Sequence, residues 1–258
     1  MTTLHTIAFS HYCERARWAL QRAEIPFDER GYLPMFHMPA IAIASGMRPG
    51  AADANSSALS TPLLRLDDGG RLHDSAAIVA YAAQHGGARA VPLSGGDAAV
   101  TEVELARQLG PDARLLAYHY LLDDHALLSA VVRHNVGAGQ RAAWTLGRPA
   151  LVGAMRKALG IRPSRAARAQ SRIEALWDRL DAQFADGRAW IGGDRFGSAD
   201  LTLAALAAPI LGIDAAAGYG AWLPPLAALP AAMRADVLRW RARPTGQRVV
   251  RAYAEERR

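Results

Sequence analysis

The chain has 258 residues, 51% of them hydrophobic and 21% charged, with a formal net charge of +6. That length holds one large domain or two small ones, and that composition is sufficient for a buried core. No apolar run reaches the length of a bilayer span, which argues against a membrane protein, and the opening Met1-Thr2-Thr3-Leu4-His5 lacks the basic and apolar regions of a secretion signal.

Cys13 is the only cysteine, so no disulfide forms within the chain and a reducing cytoplasm is the expected compartment. Lys157 is the only lysine, and the arginines are spread among acids. Even the densest basic stretch, 234–258, contains Asp236, Glu255 and Glu256, which argues against a nucleic-acid partner. The eight histidines follow no ligand spacing, so no metal site is expected.

In chain order, an apolar strand is predicted over 4–9. It runs into Ser10 and a helix over 13–23, where Cys13, Ala16, Leu20 and Ala23 repeat at helical spacing. A second strand is predicted over 25–30, with Pro26 at its start, where no ladder donor is needed. Residues 34–38 form a turn or short helix, and 44–60, rich in Gly, Ser, Ala and Asn, is an exposed, mobile loop. A hairpin follows, with strands over 61–66 and 71–73 around Asp67-Asp68-Gly69-Gly70, residues that tolerate the positive φ of a tight turn. Asp74-Ser75 then opens a third helix. Residues 86–96 read as a linker, with four glycines and Pro92.

Everything beyond is helical. One helix covers 100–109 and is broken by Gly110-Pro111; an aromatic-rich helix covers 115–132, and another 150–159. Pro163 opens a long helix with Ile173, Leu176, Trp177 and Leu180 on one face. Trp190-Ile191-Gly192-Gly193-Asp194 is a tight connection. The stretch 201–211, apolar all round, is a central buried helix, and a last helix covers 245–256.

The chemistry starts at Ser10-His11-Tyr12-Cys13. Ser-x-x-Cys is the redox Cys-x-x-Cys spacing with the first sulfur replaced by oxygen, so no internal dithiol exists, and a hydroxyl at a helix start can hold a thiolate brought by a substrate. The competing reading is a plain N-cap. Cys13 lies one turn into the apolar face and is expected to be a buried, inert thiol rather than a reactive one.

With a βαβ–ββα unit, a linker and a helical unit, the chain resembles the cytosolic glutathione transferases, and specifically their serine-type, bacterial-like members. Four motifs carry the resemblance: Ser10-His11-Tyr12-Cys13, Thr61-Pro62, Asp74-Ser75, and Gly197-Ser198-Ala199-Asp200-Leu201. It implies a thioredoxin-like α/β domain over 1–86, a linker over 87–97 and an all-α domain over 98–258. It further implies that Ser10 donates a hydrogen bond to the sulfur of bound glutathione. Lowering a thiol from about 8.5 to about 6.5 takes roughly 2.7 kcal/mol, which one charge-assisted hydrogen bond and a helix N-terminus can supply. Pro62 would be cis, with Thr61 offering its backbone to the cysteinyl part; the competing reading is a trans proline at a strand start. Family members more often carry valine before this proline. Asp74, shorter than the usual glutamate, and Ser75 would bind the γ-glutamyl end, and the competing reading is an ordinary N-cap. His37 or Arg48 would meet the glycyl carboxylate. Gly197 stands where the family's capping box has a hydroxyl, leaving Asp200 as half of a structural pair.

The resemblance places the second-substrate site between the domains, with Tyr118, His119, Tyr120, His134 and Trp144 as candidates. Plain core is the competing role for each of them. The implied activity is detoxifying conjugation of glutathione, a co-substrate, to a small hydrophobic electrophile, in a homodimer and without metal. The same thiolate would also serve an isomerase, a lyase or a dehalogenase, and a non-catalytic binding protein could keep the fold.

Overall fold

The computed structural model describes residues 1–48, 50 and 58–257. Four strands form one sheet in the order β2-β1-β3-β4. β1 (Thr3–Thr6) is buried along its length and pairs on both sides. It runs parallel to β2 (Asp28–Gly31), with Leu4 opposite Glu29, and antiparallel to β3 (Leu63–Arg65), with Leu4 opposite Leu64. β3 and β4 (Arg71–His73) make the expected hairpin: Gly69 takes φ 89°, and Gly70 donates its N–H to the Asp68 carboxylate at 2.7 Å.

β1 stops before Phe9 because Ser10 N–H donates to the Ile7 carbonyl at 2.7 Å, a turn that swings the chain into α1 (His11–Arg22). Cys13, Ala16, Leu20 and Ala23 are buried as their spacing predicts, but so are Glu14, Arg15, Arg17 and Trp18. α1 is covered on both sides, by α3 (Ser75–His85) and by α9 (Ser198–Ala207). Its charges are matched inside: Arg17 pairs with Glu14 at 2.6 Å and with Glu29 at 2.5 Å, and Arg15 with Glu102 at 2.5 Å.

The turn at 34–36 leads into α2 (His37–Ala44). Part of the stretch predicted as a loop over 44–60, namely 49 and 51–57, lies outside the described residues.

From α4 (Gly96–Glu104) onward the named elements of the described chain are all helices, joined by turns and irregular stretches such as 208–225, with one isolated bridge between Trp190 and Gly193 that closes the expected tight connection. The break expected at Gly110-Pro111 does not occur. The helix continues through a π turn, Leu105–Leu109, into α5 (Gly110–Leu121). A widened turn just ahead of a proline accommodates the missing N–H and the ring without ending the helix. Gly110 serves close packing instead, because a Cβ there would sit 2.1 Å from the Tyr12 hydroxyl oxygen.

The helix predicted over 115–132 is two helices, because Asp124 caps α6 (His125–Asn135) by accepting the Leu127 N–H at 2.9 Å. α7 (Ala138–Ala158) and α8 (Pro163–Gln183) follow, and the chain ends on α10 (Ala231–Arg241) and α11 (Pro244–Glu255). Trp18, Trp177 and Trp240 are fully buried in the main core, and Leu122, Leu128, Trp144 and Met155 fill a second core between α5, α6 and α7.

α9 is buried at all ten positions. Asp200 accepts the N–H groups of Gly197 at 3.0 Å and Ile191 at 2.7 Å. The hydroxyl that Gly197 lacks comes from Ser94 in the linker, which accepts the Ala199 N–H at 3.0 Å. A Cβ on residue 197 would lie 2.9 Å from that hydroxyl, so glycine makes the room for it. Ser94→Ala is expected to cost about 1 kcal/mol in urea unfolding. Asp200→Ala, which leaves two buried donors unmet, should cost about 1–3 kcal/mol. Equal stability of either variant and the wild type would contradict this capping arrangement.

Candidate active site

The β1–α1 turn, the start of α2, residues 60–61 and the inward face of α5 enclose a cavity of about 680 Å³. Ser10 stands in its wall as the residue preceding α1, with extended backbone (φ −76°, ψ 132°) and no capping bond from its side chain. The hydroxyl is therefore not used up by the helix end. Thr61 stands in the same wall, and the Thr61–Pro62 peptide is cis, as the resemblance implies.

Cys13 lies behind this wall, fully buried. Burial pushes its thiol up to about 11, against the opposing influence of the nearby Thr61 hydroxyl and the Arg17 charge. A neutral, enclosed thiol is a poor nucleophile. In native buffer, Cys13 is expected to resist a thiol reagent over a period in which the urea-unfolded chain is fully labelled; rapid native labelling would overturn that.

Asp74 and Ser75 sit at the start of α3 and are not in the cavity wall. Asp74 takes φ 75° and caps the helix, accepting the Ala77 N–H at 2.9 Å. Its own N–H donates to the Pro62 carbonyl at 3.2 Å, which brings this helix start beside the Thr61–Pro62 corner. Ser75 is buried, and its hydroxyl accepts from Arg15 Nη1 at 3.3 Å.

His37 is in the wall. Burial lowers its pKa, with the Leu33 carbonyl opposing, and its Nδ1 is enclosed without a hydrogen bond. It is thus a neutral imidazole at neutral pH rather than a resident cation. Arg48 is exposed and outside the wall.

Of the aromatic residues expected at a second-substrate site, Tyr118 lines the cavity, and burial raises its hydroxyl to about 12 despite the nearby Arg114. His119 and Tyr120 do not line it. Successive helix positions turn by about 100°, so only one of three adjacent residues faces a given wall. Tyr120 instead donates to Asp236 at 2.5 Å, with His119 tilted against its ring. Trp144 bonds to Ser129 in the second core, and His134 stacks on Trp222 at 4.4 Å.

Sequence reading missed the rest of the α5 face. Pro111, Arg114, Leu115 and Tyr118 all line the cavity, at the i, i+3, i+4, i+7 spacing of one helix stripe. That stripe was available as a signal, but an expected break at Gly110-Pro111 hid it. Met35, Met38, Met155 and Met233 also line the cavity. Among the described residues there is no cluster of three or more His, Cys, Asp or Glu that could hold a metal, and no helix long and apolar enough to cross a membrane.

Two family models match: the glutathione S-transferase N-terminal domain over residues 4–90 and the glutathione S-transferase C-terminal domain over 163–243. No curated protein matches the sequence. Among solved structures, a glutathione transferase from Phanerochaete chrysosporium is similar at 14% identity and a TM-score of 0.64, covering 99% of this chain and 96% of its own. A glutathione S-transferase of Ceriporiopsis subvermispora, in complex with glutathione, is similar at 14% identity and a TM-score of 0.60, covering 99% and 97%. A glutathione transferase from Populus trichocarpa, at 14% identity and a TM-score of 0.54, covers 100% of both chains. With a thioredoxin-like α/β domain followed by an all-α domain, and a glutathione S-transferase model matched in each, the chain has the fold of the cytosolic glutathione S-transferase superfamily.

Proposed function

We propose that the protein is a serine-type glutathione transferase that ionises the thiol of bound glutathione and adds it to an apolar electrophile. The observation that carries this is Ser10: a hydroxyl at the start of a buried helix, not engaged in capping, in the wall of a cavity beside Thr61. The tripeptide's cysteinyl backbone would pair with Thr61 ahead of cis-Pro62. Its ammonium would face Asp74. Its γ-glutamyl carboxylate would take the hydroxyl hydrogen of Ser75, which is left to donate because the oxygen already accepts from Arg15. The glycyl carboxylate would meet His37, and an anion there would raise the imidazole's pKa and favour its cationic form.

The thiolate attacks the electrophilic carbon, a carbon–sulfur bond forms, and the displaced group or the electron pair of the acceptor's double bond leaves that carbon. Positioning and thiolate formation supply the acceleration, with no covalent enzyme intermediate. Tyr118, in the wall of the same cavity, would meet the electrophile. We read the protein as a cytoplasmic homodimer in detoxification. Val100 and Val103 on α4, 69% and 50% exposed, support an apolar contact between copies, and the eleven arginines held in ion pairs among the described residues speak against a nucleic-acid partner.

Calorimetry of glutathione binding across a pH series tests the reading. Binding should release a proton near neutral pH, with less release from Ser10→Ala. Absence of binding by the folded wild type would overturn it.

A further inference from the structure

Among the described residues the cavity wall contains two guanidinium groups and no carboxylate. Arg114 projects from α5, half-buried, with its charge 5.9 Å from the centre of the Tyr12 ring. Its field reaches into the cavity, since it opposes a proton on His11 and favours ionisation of Tyr118, both of which line the same wall. Arg165 stands at the start of α8, near the outer rim. Gly160, at φ 60°, makes room for it: a Cβ there would lie 2.0 Å from Arg165 Nη1. Among the described residues neither arginine has an acidic partner. The exposed Arg165 donates through Nη1 to the Leu159 and Gly160 carbonyls at 3.4 and 3.3 Å. The half-buried Arg114 differs in this from most other buried or half-buried arginines, which are ion-paired.

The surrounding wall is apolar, with Leu121 on α5 itself and Leu128, Met155 and Met233 contributed by α6, α7 and α10. Such a wall strengthens any ion pair formed within it. It also makes a half-buried guanidinium without a counter-ion, as at Arg114, costly, a cost that a ligand anion would relieve. The methionine thioethers fit many apolar shapes, so the wall leaves shape loosely specified and charge well specified.

We propose that the cavity selects an apolar molecule bearing one anionic group, a carboxylate or sulfonate, held by Arg114 with Arg165 adding to the field. Calling that molecule the second substrate rests on the proposed transferase reading; its binding requires neither glutathione nor Ser10.

The test is fluorescence titration of the full chain, without glutathione, using 1-anilinonaphthalene-8-sulfonate and its uncharged relative N-phenyl-1-naphthylamine. The sulfonate should bind at least about tenfold more tightly at low salt. Arg114→Gln should weaken the sulfonate about tenfold and leave the amine unchanged, Arg114→Lys should retain part of the preference, and Arg165→Gln should have a smaller effect of the same kind. Leu128→Trp, which fills the cavity, should weaken both probes. The proposal fails if wild type binds the two probes equally, if Arg114→Gln, folded by circular dichroism, weakens both alike, or if Leu128→Trp affects neither. Glutathione calorimetry on the same samples separates the claims: probe selectivity without glutathione binding removes the transferase reading and leaves the anion site, and the reverse result removes the anion site alone.

Discussion

Ser10→Ala is expected to lower kcat/KM for glutathione transfer by about 10- to 100-fold near pH 6.5, with little change in stability. A hydrogen bond to a charged acceptor is worth about 1.5–3 kcal/mol. Losing it raises the pKa of the bound thiol by about 1–2 units, and the thiolate fraction below that pKa falls in proportion. The sign is set by the acidic limb: the deficit is full at low pH and closes as pH rises through the variant's higher thiol pKa, where the thiolate forms without assistance. Ser10→Thr, which retains a hydroxyl, should recover part of the rate. Stability separates this role from the competing one. A capping serine replaced by alanine costs about 1 kcal/mol, but the Ser10 side chain makes no capping bond, so urea midpoints should nearly coincide. Unchanged transfer at low pH, or a large loss of stability with normal transfer, would return Ser10 to the role of a helix cap.

Arg17→Met should be among the most destabilising single substitutions in the chain, at about 3–5 kcal/mol. The Arg17 side chain is 2% exposed and that of Glu14 is 0% exposed. Arg17 binds Glu14 at 2.6 Å, clasps both carboxylate oxygens of Glu29 at 2.5 and 2.8 Å, and donates to the Ala8 carbonyl at 2.9 Å. Glu14 has two further partners, Arg257 at 2.9 Å and the Gly220 N–H at 3.0 Å. Without Arg17, a fully buried carboxylate keeps one cation where it had two, and Glu29 loses its cation and keeps only the Thr6 hydroxyl, at 2.7 Å. Adding Glu14→Gln to Arg17→Met should recover a measurable part of the loss, since the uncompensated charge, rather than the missing volume, is the main cost. If the double variant is no more stable than the single, packing dominates and the electrostatic account is wrong. The Ala8 carbonyl belongs to the turn that delivers Ser10, so a folded Arg17→Met protein should also bind glutathione less well.

The residues legible in the chain were those whose geometry is settled within a few positions of themselves. Ser10 at a strand-to-helix turn, Thr61-Pro62 before a strand, the Asp67–Gly70 hairpin and Asp74-Ser75 at a helix start each express local backbone chemistry. The order of those local units was enough to place the α/β and all-α halves, and the all-apolar stretch that became α9 announced its own burial. The tertiary structure decided everything that depended on a partner far along the chain. Ser94 completes a helix cap that Gly197 leaves open, Gly110 lets Tyr12 approach α5, and Arg257 from the last turn neutralises Glu14 in the first helix. It also decided which side of α5 faces the cavity, admitting Tyr118 and Arg114 and turning Tyr120 toward Asp236. Periodicity names a helix and its stripe, but which stripe meets a ligand depends on where the neighbouring elements leave space, and that follows from packing among residues that no local pattern connects.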